Sequence, residues 1–373
     1  MQFAVGSFND TTMNSSKKIK ALVVDDSAYN RGILSQMLAS DSGIEVVGTA
    51  TDGVDAIGKT LRLAPDVITL DLEMPNMDGF TFLRWLMKER PTPVLVISSR
   101  SDSRSVIRAL ELGASDFIAK PEARISKSIE GIRDELLAKV HGILSMEMSK
   151  VRSTLDLLAR ERVQPVIRKD EEPAPRTSGI EVVAIASSTG GPPAIQAILT
   201  ALPADFGAAI VIAQHMPVGF TRSFAERLNK ISPLIVSEAA AGDRVRPGVA
   251  LIAPGGHHLL VKRDREGLFC ELVPRGPSDK YVPSADRMMI SVAEACGAAA
   301  VGVVLTGMGN DGAAGAQAIK RHKGQCLAES KESAVIFGMP QEAISTGAVD
   351  KVVPLAKMAD EIAYRCLGKA ANT

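Results

Sequence analysis

The sequence predicts an α/β protein with two domains. Short apolar runs alternate with amphipathic stretches in two separate regions, which is the pattern of β/α units. A polar segment with three prolines lies between the two regions. The chain has 373 residues, enough for each region to bury its own core. We therefore expect an N-terminal, doubly wound, five-stranded parallel domain, a linker, and a C-terminal α/β domain with a mostly parallel sheet.

Composition limits the classes of function. Lysine and arginine together number 43, as do aspartate and glutamate, so no global charge attracts nucleic acid or an anionic membrane. No apolar run approaches the length of a membrane span. Residues 1–17 lack the apolar core of a signal peptide and are expected to form a flexible extension. The four cysteines are scattered, which favours buried thiols in the reducing cytoplasm.

The N-terminal region reads as five β/α units. Helical spacing of apolar residues occurs between the strands, as in residues Ala28–Ala39 and Ser103–Leu112. The candidate strands are Ala21–Val24, Glu45–Thr49, Val67–Leu70, Val94–Ile97 and Asp116–Ala119. We place the first domain at residues 18–122.

The linker is assigned to residues 123–178, with a helical first part and a disordered second part rich in proline and charge. A second alternation begins after it and defines a domain at residues 179–368. Helices are expected at Ala194–Ala201 and Phe224–Asn229. The strands predicted around them are Val182–Ala186, Ala208–Ala213, Val249–Ile252 and Ala300–Leu305.

Carboxylates and a lysine follow several strands of the first domain. Asp25, Asp26, Asp71, Ser98 and Lys120 each lie at or near a strand's carboxyl end, where parallel sheets collect functional side chains. Three carboxylates repel one another unless a cation such as Mg²⁺ neutralises them. Asp71 can then act as nucleophile toward a phosphoryl group, with Lys120 balancing the charge and Ser98 donating to an oxygen. Helix capping would explain Asp26 or Asp71 singly, but not the whole set.

A second polar set follows strands of the C-terminal domain. Ser188 lies in a strand–turn–helix segment, VVAIASSTGGPPAI, beside helix N-terminal amides that favour negative charge. His215 ends the run AAIVIAQH and is a candidate base, while Asp311 in LTGMGNDGAAG could orient its imidazole. Backbone amides of the bend at residues 307–309 could help form an oxyanion hole. The set predicts a serine hydrolase.

Spacing alone leaves other interpretations open. A serine in such a turn is often only a helix cap, and Ser187 or Thr189 would serve equally. Residues 307–312, G-M-G-N-D-G, match the dinucleotide fingerprint, with Glu329 at a suitable distance. A nucleotide-binding oxidoreductase is disfavoured because Asp311 would face the pyrophosphate. An output domain that binds a partner without catalysis also remains open.

Residues 18–121 resemble the receiver domain of two-component response regulators, through the motifs VVDDS, LDLEMPNMDG, VISS and FIAKP. The resemblance implies that Asp71 is the phosphate acceptor. It implies Mg²⁺ at the receiver site, with Asp25, Asp26, Asp71 and the backbone carbonyl of Glu73 as ligands. The implied phosphorylation switch comprises Ser98, Phe117 and Lys120.

Residues 179–368 are similar to the catalytic domain of the chemotaxis protein-glutamate methylesterases. The matching segments include IASSTGGPPAI, IAQHMPVGFTRSFAERLN, PSADRMM and LTGMGNDGAAG. The resemblance implies Ser188 as nucleophile, His215 as base and Asp311 as the orienting acid. The Met308 amide is the implied oxyanion donor, with Thr189 supporting the turn. One departure is Ser187, where the family commonly has a small residue without a hydroxyl.

The resemblance covers nearly the whole chain and implies a cytoplasmic enzyme. It would hydrolyse glutamate γ-methyl esters of chemoreceptors and deamidate receptor glutamines, with no cofactor for the ester step. A chemotaxis histidine kinase would be the phosphodonor, and the unphosphorylated receiver would cover the active site. We expect a monomer that neither binds nucleic acid nor inserts into a membrane.

Overall fold

A computed structural model describes residues 18–99, 103–120, 126–144, 146–161 and 179–367. The expected flexible extension at residues 1–17 and the proline-rich part of the linker lie outside the described residues.

The first sheet confirms the predicted five-stranded parallel fold. Its strand order is β2-β1-β3-β4-β5, and every adjacent pair is parallel. The apolar runs form its strands because they are buried by helices on both faces. The strands are β1 (Ile19–Val24), β2 (Ile44–Ala50), β3 (Val67–Leu70), β4 (Val94–Ser98) and β5 (Asp116–Ala119). The helices between them are α1 (Ala28–Ala39), α2 (Gly53–Leu63), α3 (Gly79–Glu89) and α4 (Ser103–Glu111).

Two helices fall within the range assigned to the linker. They are α5 (Ser126–Ile143) and α6 (Met148–Glu161). Leu136 and Val140 of α5 are buried in one core cluster with Leu34 and Leu38 of α1. The boundary expected at residue 122 therefore precedes a helix that packs on the first domain.

The C-terminal domain is built on a seven-stranded parallel sheet, which confirms the predicted α/β fold with a mostly parallel sheet. Its order is β14-β13-β12-β6-β7-β9-β8. These strands are β6 (Val182–Ser187), β7 (Ala209–Gln214), β8 (Ile235–Glu238), β9 (Val249–Ile252), β12 (Ala300–Val304), β13 (Gln325–Glu329) and β14 (Lys351–Val353). An antiparallel hairpin, β10 (His257–Asp264) with β11 (Gly267–Pro274), forms separately. The helices are α7 (Gly191–Ala201), α8 (Phe220–Ile231), α9 (Ala285–Cys296), α10 (Ala313–Arg321), α11 (Gly338–Ser345) and α12 (Leu355–Leu367).

Three strands of this sheet, β8, β13 and β14, were not predicted from the sequence. β8 and β14 are edge strands of three or four residues, with exposed positions, so their apolar content is low. Helices α7 and α8 begin earlier than expected, at Gly191 and Phe220. Each of these first turns includes or follows a glycine, which weakened the helical pattern.

The two domains pack against each other through α4 and α6 on one side and α7 and α8 on the other. The ring of Phe117 in β5 lies 4.5 Å from that of Phe220, the first residue of α8. Arg227 of α8 forms an ion pair with Glu111 of α4, with Nε 2.6 Å from Oε1. No helix in the described part of the chain is both long and apolar enough to cross a membrane.

Candidate functional sites

Three carboxylates meet at the carboxyl edge of the first sheet. Asp25 and Asp26 follow β1 and Asp71 follows β3, and one ligand oxygen from each lies within 4.8 Å of the others. Asp25 and Asp71 are buried, whereas Asp26 is exposed. A set of hard oxygen donors, open to solvent on one side, fits Mg²⁺, which keeps several water ligands.

Lys120, just after β5, is the cation of this site. Its ammonium contacts the Asp71 carboxylate and lies 3.2 Å from Asp25 Oδ2. Burial raises the pKa of Asp71, and the hydrogen bond from Lys120 only partly opposes that effect. Burial disfavours the Lys120 ammonium, but Asp71 and Asp25 outweigh burial and raise its pKa. Lys120 therefore remains charged and available to balance added negative charge.

The carboxylates of this cluster are not helix caps. Ser27 caps α1 by accepting a hydrogen bond from the Asn30 amide at 3.4 Å. Asp78 caps α3 by accepting one from the Thr81 amide at 2.7 Å. Asp26 and Asp71 thus have no capping role at the helices that follow them. Helix capping therefore does not replace the interpretation of the cluster as a cation-binding phosphorylation site.

The other residues expected at this site surround the cluster or face away from it. Ser98 ends β4 and is buried. Glu73 is exposed, and its amide donates to Asp71 Oδ1 at 3.2 Å. Phe117 is buried against Phe220 of the other domain. An aromatic side chain on the first sheet therefore forms part of the domain interface.

Ser188 lies in the tight turn between β6 and α7 and is partly exposed. Its amide donates to the Thr306 carbonyl at 3.1 Å, and its carbonyl accepts from the Gly191 amide at 2.8 Å. Gly190 has a φ of 77°, a conformation that favours glycine. The turn thus fixes the Ser188 backbone at the carboxyl edge of the second sheet.

His215 and Asp311 are brought together at the same edge. His215 Nε2 lies 2.8 Å from Asp311 Oδ2, which leaves Nδ1 as the nitrogen that could accept a proton. No hydrogen bond between Ser188 Oγ and His215 is found among the residues that the structure describes. Apo geometry of this kind does not exclude a nucleophile, because such bonds often form only with substrate.

The N-terminus of α9 holds Asp311 in its ionised form. The Ala285 and Asp286 amides donate to its two oxygens at 2.7 and 2.8 Å, and the Ser284 hydroxyl donates at 3.0 Å. Burial would raise the pKa of Asp311, but His215 and these amides lower it overall. A carboxylate that stays charged beside an imidazole can stabilise the imidazolium formed during acid–base catalysis.

Gln214 is a supporting residue that the sequence analysis missed. Its Nε2 donates to the Ser188 carbonyl at 2.9 Å, and its Oε1 accepts from the Ser187 hydroxyl at 2.7 Å. A Cβ atom on Gly191 would lie 2.1 Å from Gln214 Oε1, so a side chain at this position would displace the Gln214 amide. Ser187 is therefore a buried support and Ser188 the accessible hydroxyl. The sequence signal that could have identified Gln214 was a single amide side chain at the end of an apolar strand.

Tyr281 is a second residue that the sequence analysis missed. Its ring stacks on the His215 imidazole, with centroids 4.7 Å apart and planes inclined by 6°. No motif pointed to it, because it lies in a polar loop ahead of α9.

The loop after β12 packs against Ser188. A Cβ atom on Gly307 would lie 2.9 Å from the Ser188 Cβ. The Met308 amide makes no hydrogen bond that is found in the described part of the chain, so it could serve an oxyanion. The Met308 side chain packs on α5, where a Cβ atom on Gly142 would lie 2.4 Å from its sulfur.

Glu329 forms a hydrogen bond with the loop after β12, and this contact argues against the dinucleotide-binding interpretation. It is fully buried and accepts hydrogen bonds from the Thr306 amide at 2.8 Å and the Ser333 hydroxyl at 2.9 Å. Burial raises its pKa to about 7. A ribose would need this carboxylate at the surface.

Thr189 joins the turn that carries Ser188 to the first domain. Its hydroxyl donates to the Asp116 carboxylate at the start of β5, and its carbonyl accepts from the Thr306 hydroxyl at 3.0 Å. Asp116 also pairs with Lys139 of α5, with Oδ1 3.0 Å from Nζ. The first domain therefore contacts the residue next to Ser188.

Comparison with known proteins identifies the family. A model of the CheB methylesterase domain matches residues 183–362, and a model of the response regulator receiver domain matches residues 21–130. A protein-glutamate methylesterase/protein-glutamine glutaminase of Geobacter sulfurreducens is 51% identical, over 94% of this chain and 98% of that protein. The chain belongs to the CheB methylesterase family. Relatives of the same name from Myxococcus xanthus and Halalkalibacterium halodurans are 46% and 43% identical, each over 94% of this chain and 98% and 99% of theirs.

The matched ranges agree with the positions of both sites. The CheB methylesterase match includes Ser188, His215 and Asp311, and the receiver match includes the acidic cluster and Lys120. The receiver match ends inside α5, the helix that packs on the first domain.

Proposed function

We propose that this protein removes methyl groups from glutamate γ-methyl esters of chemoreceptors and deamidates receptor glutamines, under the control of phosphorylation at Asp71. The contact of His215 with Asp311, beside the accessible Ser188, carries the proposal for the chemistry. The names of the relatives supply the substrate class.

The ester reaction follows from the roles of the three side chains. Ser188 Oγ attacks the γ-carbonyl carbon of the ester as His215 Nδ1 takes its proton, and Asp311 stabilises the imidazolium. The Met308 amide donates to the oxyanion of the tetrahedral intermediate. The imidazolium returns the proton to the leaving methoxide, which departs as methanol. Water, activated by the same imidazole, then hydrolyses the acyl-enzyme to the glutamate carboxylate.

A glutamine side chain can follow the same route. Its tetrahedral intermediate has the same oxyanion, and ammonia departs in place of methanol. The Thr189 carbonyl accepts a hydrogen bond from the Thr306 hydroxyl, which holds the turn that carries Ser188. Ester hydrolysis and deamidation would therefore both use the same position of Ser188. Apart from water, the proposed ester step would use only side chains and backbone amides of this chain.

The receiver site is proposed to accept a phosphoryl group on Asp71 from a chemotaxis histidine kinase. Asp25, Asp26, Asp71 and the Glu73 carbonyl would hold Mg²⁺, which neutralises the oxygens that gather there. Lys120 already contacts Asp71 and would balance the charge of the phosphoryl group. Ser98 would donate to a phosphoryl oxygen.

Control of the esterase is proposed to act through domain separation. In the structure β5 and α5 of the receiver lie against Thr189 and Met308, beside Ser188. These contacts would hinder the approach of a receptor helix to Ser188, which is only partly exposed. Phosphorylation would draw Ser98 and Phe117 toward Asp71 and so remove the Phe117 ring from Phe220.

The test is methanol release from a methylated chemoreceptor, with and without a small phosphodonor and Mg²⁺. Intact protein is expected to release methanol slowly and to be stimulated by phosphodonor. Ser188→Ala should abolish release under both conditions. Asp71→Ala should keep the basal rate and lose the stimulation.

The same experiment separates the competing interpretations. Release that survives Ser188→Ala would refute Ser188 as the nucleophile. Stimulation that survives Asp71→Ala would refute gating through that carboxylate. No release by folded protein under any condition would favour an output domain that binds a partner without catalysis. The reaction is proposed to take place in the cytoplasm, on the cytoplasmic part of the receptor.

A further inference from the structure

The catalytic imidazole has an aromatic neighbour with no role in the scheme above. Tyr281 lies almost parallel to His215, with a centroid separation of 4.7 Å and an angle of 6°. Its hydroxyl lies against the loop of the oxyanion donor, since a Cβ atom on Gly309 would be 2.3 Å from that oxygen. One ring thus spans from the base to the loop that carries Met308.

We propose that Tyr281 is a positioning residue of the esterase reaction, whose ring fixes the plane of the His215 imidazole and stabilises its cationic form. The proposal rests on the proposed function, in which His215 carries a proton in each half-reaction. It adds a fourth side chain to Ser188, His215 and Asp311.

The geometry around the His215 imidazole supports this role. The bond to Asp311 fixes one nitrogen of the imidazole but leaves the ring free to rotate about that contact. A flat partner parallel to the ring limits this rotation and keeps Nδ1 aimed at one place. Small errors in the position of a base are costly, because proton transfer needs hydrogen-bond distance.

The electrostatics around the His215 imidazole also support this role. The face of an aromatic ring is negative and attracts a cation within about 6 Å of the centroid. When His215 becomes an imidazolium, Tyr281 presents that face to it. Among the charged groups that the described residues place here, Asp311 contacts His215 directly and Asp286 lies beside Asp311. The Lys280 ammonium lies 4.8 Å from the Tyr281 centroid. Lys280 therefore competes with the imidazolium for the same ring.

Tyr281 and Lys280 are expected to have opposite effects on the imidazolium, and this difference can be measured. The assay is methanol release by the full chain, with phosphodonor, from a soluble fragment of a methylated chemoreceptor, measured across pH. Tyr281→Leu keeps an apolar side chain but removes the ring. We expect kcat to fall about tenfold with KM within about twofold, the size of a lost cation–π contact in a partly buried site. The acidic limb of the kcat/KM profile should move to lower pH, because the imidazolium loses a favourable neighbour.

Three further variants make the result specific. Tyr281→Phe keeps the ring and should retain kcat within about twofold of the original protein. Lys280→Met should move the acidic limb to higher pH, because a competing cation is removed. Tyr364→Leu makes the same substitution at an exposed tyrosine of α12 and should change neither parameter.

The outcomes decide between the inference and the function on which it rests. Equal kcat and equal acidic limbs for Tyr281→Leu and the original protein would overturn the inference, while loss of activity in Ser188→Ala would leave the function standing. Equal losses in Tyr281→Leu and Tyr281→Phe would also overturn it, because the hydroxyl and not the ring would then matter. If the original protein releases no methanol, the function fails first.

Discussion

The Thr189 hydroxyl donates to the Asp116 carboxylate across the domain interface. Thr189 follows the nucleophile that we propose, and Asp116 precedes Phe117, whose ring packs on Phe220. Two successive residues of β5 therefore contact the esterase domain, one through a hydrogen bond and one through an aromatic pair. A shift of this strand would disturb both contacts together.

The first prediction concerns Asp116. Asp116→Ala removes the acceptor for Thr189, so the docked arrangement loses one side-chain hydrogen bond. We expect the basal rate of methanol release to rise about two- to tenfold, and the stimulation by phosphodonor to fall by the same factor. Asp116→Asn keeps an oxygen acceptor and should lie closer to the original protein. An unchanged basal rate in Asp116→Ala would contradict the coupling.

The second prediction concerns the ion pair of Glu111 and Arg227, neither of which is among the proposed catalytic groups. The side chains are 11% and 36% exposed, and two nitrogens of Arg227 contact the Glu111 carboxylate, at 2.6 and 3.3 Å. Arg227→Ala should weaken docking by about 1 kcal/mol and raise the basal rate about fivefold. The measurement is the basal rate of methanol release without phosphodonor.

A charge swap and a matched control test this second prediction. The double variant Glu111→Arg with Arg227→Glu should return the basal rate toward that of the original protein. Arg244→Ala removes an arginine that pairs with Asp264 and Glu266 inside the C-terminal domain and should leave the basal rate unchanged. If Arg227→Ala behaves like Arg244→Ala, this pair does not hold the domains together.

The third prediction separates the two adjacent serines. Ser187→Ala leaves the buried oxygen of Gln214 without its donor, which should cost about 1–3 kcal/mol of unfolding free energy. Methanol release should fall but persist, because Gln214 can still donate to the Ser188 carbonyl. Ser188→Ala should instead abolish release and leave the unfolding free energy nearly unchanged. Complete loss in Ser187→Ala, with folding intact, would reverse the assignment.

The fourth prediction concerns Glu329 and pH. Its pKa is about 7 in the folded protein against an ordinary value of 4.5, because burial disfavours the charged form. Between these two values the unfolded chain has lost the proton that the folded protein keeps, so unfolding free energy falls as pH rises. By pH 8 the difference should reach about 3 kcal/mol relative to pH 4.

Glu329→Gln provides the measurement for this fourth prediction. Gln cannot ionise, so the difference in unfolding free energy between Glu329→Gln and the original protein should grow in favour of the variant from pH 5 to pH 7 and then level off. Denaturant unfolding at a series of pH values gives this difference. A difference that does not vary with pH would show that Glu329 is ionised in both states.

Much of the fold was predictable from the apolar runs. A parallel strand with helices on both faces must be apolar along its length, so β1, β3, β6 and β7 stand out as continuous runs. The edge strands β8 and β14 have a neighbour on one side only and carry exposed residues, so they give no such signal. Helix α5 was predicted, but the sequence did not show that it packs on α1, which lies about 100 residues earlier in the chain.

The positions of the candidate site residues were predictable for a related reason. Functional side chains of a parallel sheet collect at strand ends, which are visible in the sequence at Asp71, Ser188 and His215. Gln214 and Tyr281 were missed because their roles depend on what they touch in space. Nothing in the sequence around Asp116 indicates that its partner is Thr189, 73 positions away.

The aromatic pair of Phe117 and Phe220 has a thermodynamic consequence. If phosphorylation of Asp71 weakens domain docking, then docking must hinder phosphorylation by the same free energy, since linkage is reciprocal. On that premise the C-terminal domain would act on the receiver as an inhibitory ligand acts on its target. Anything that occupied the uncovered catalytic cleft would compete with that ligand, so a bound receptor would itself make Asp71 easier to phosphorylate.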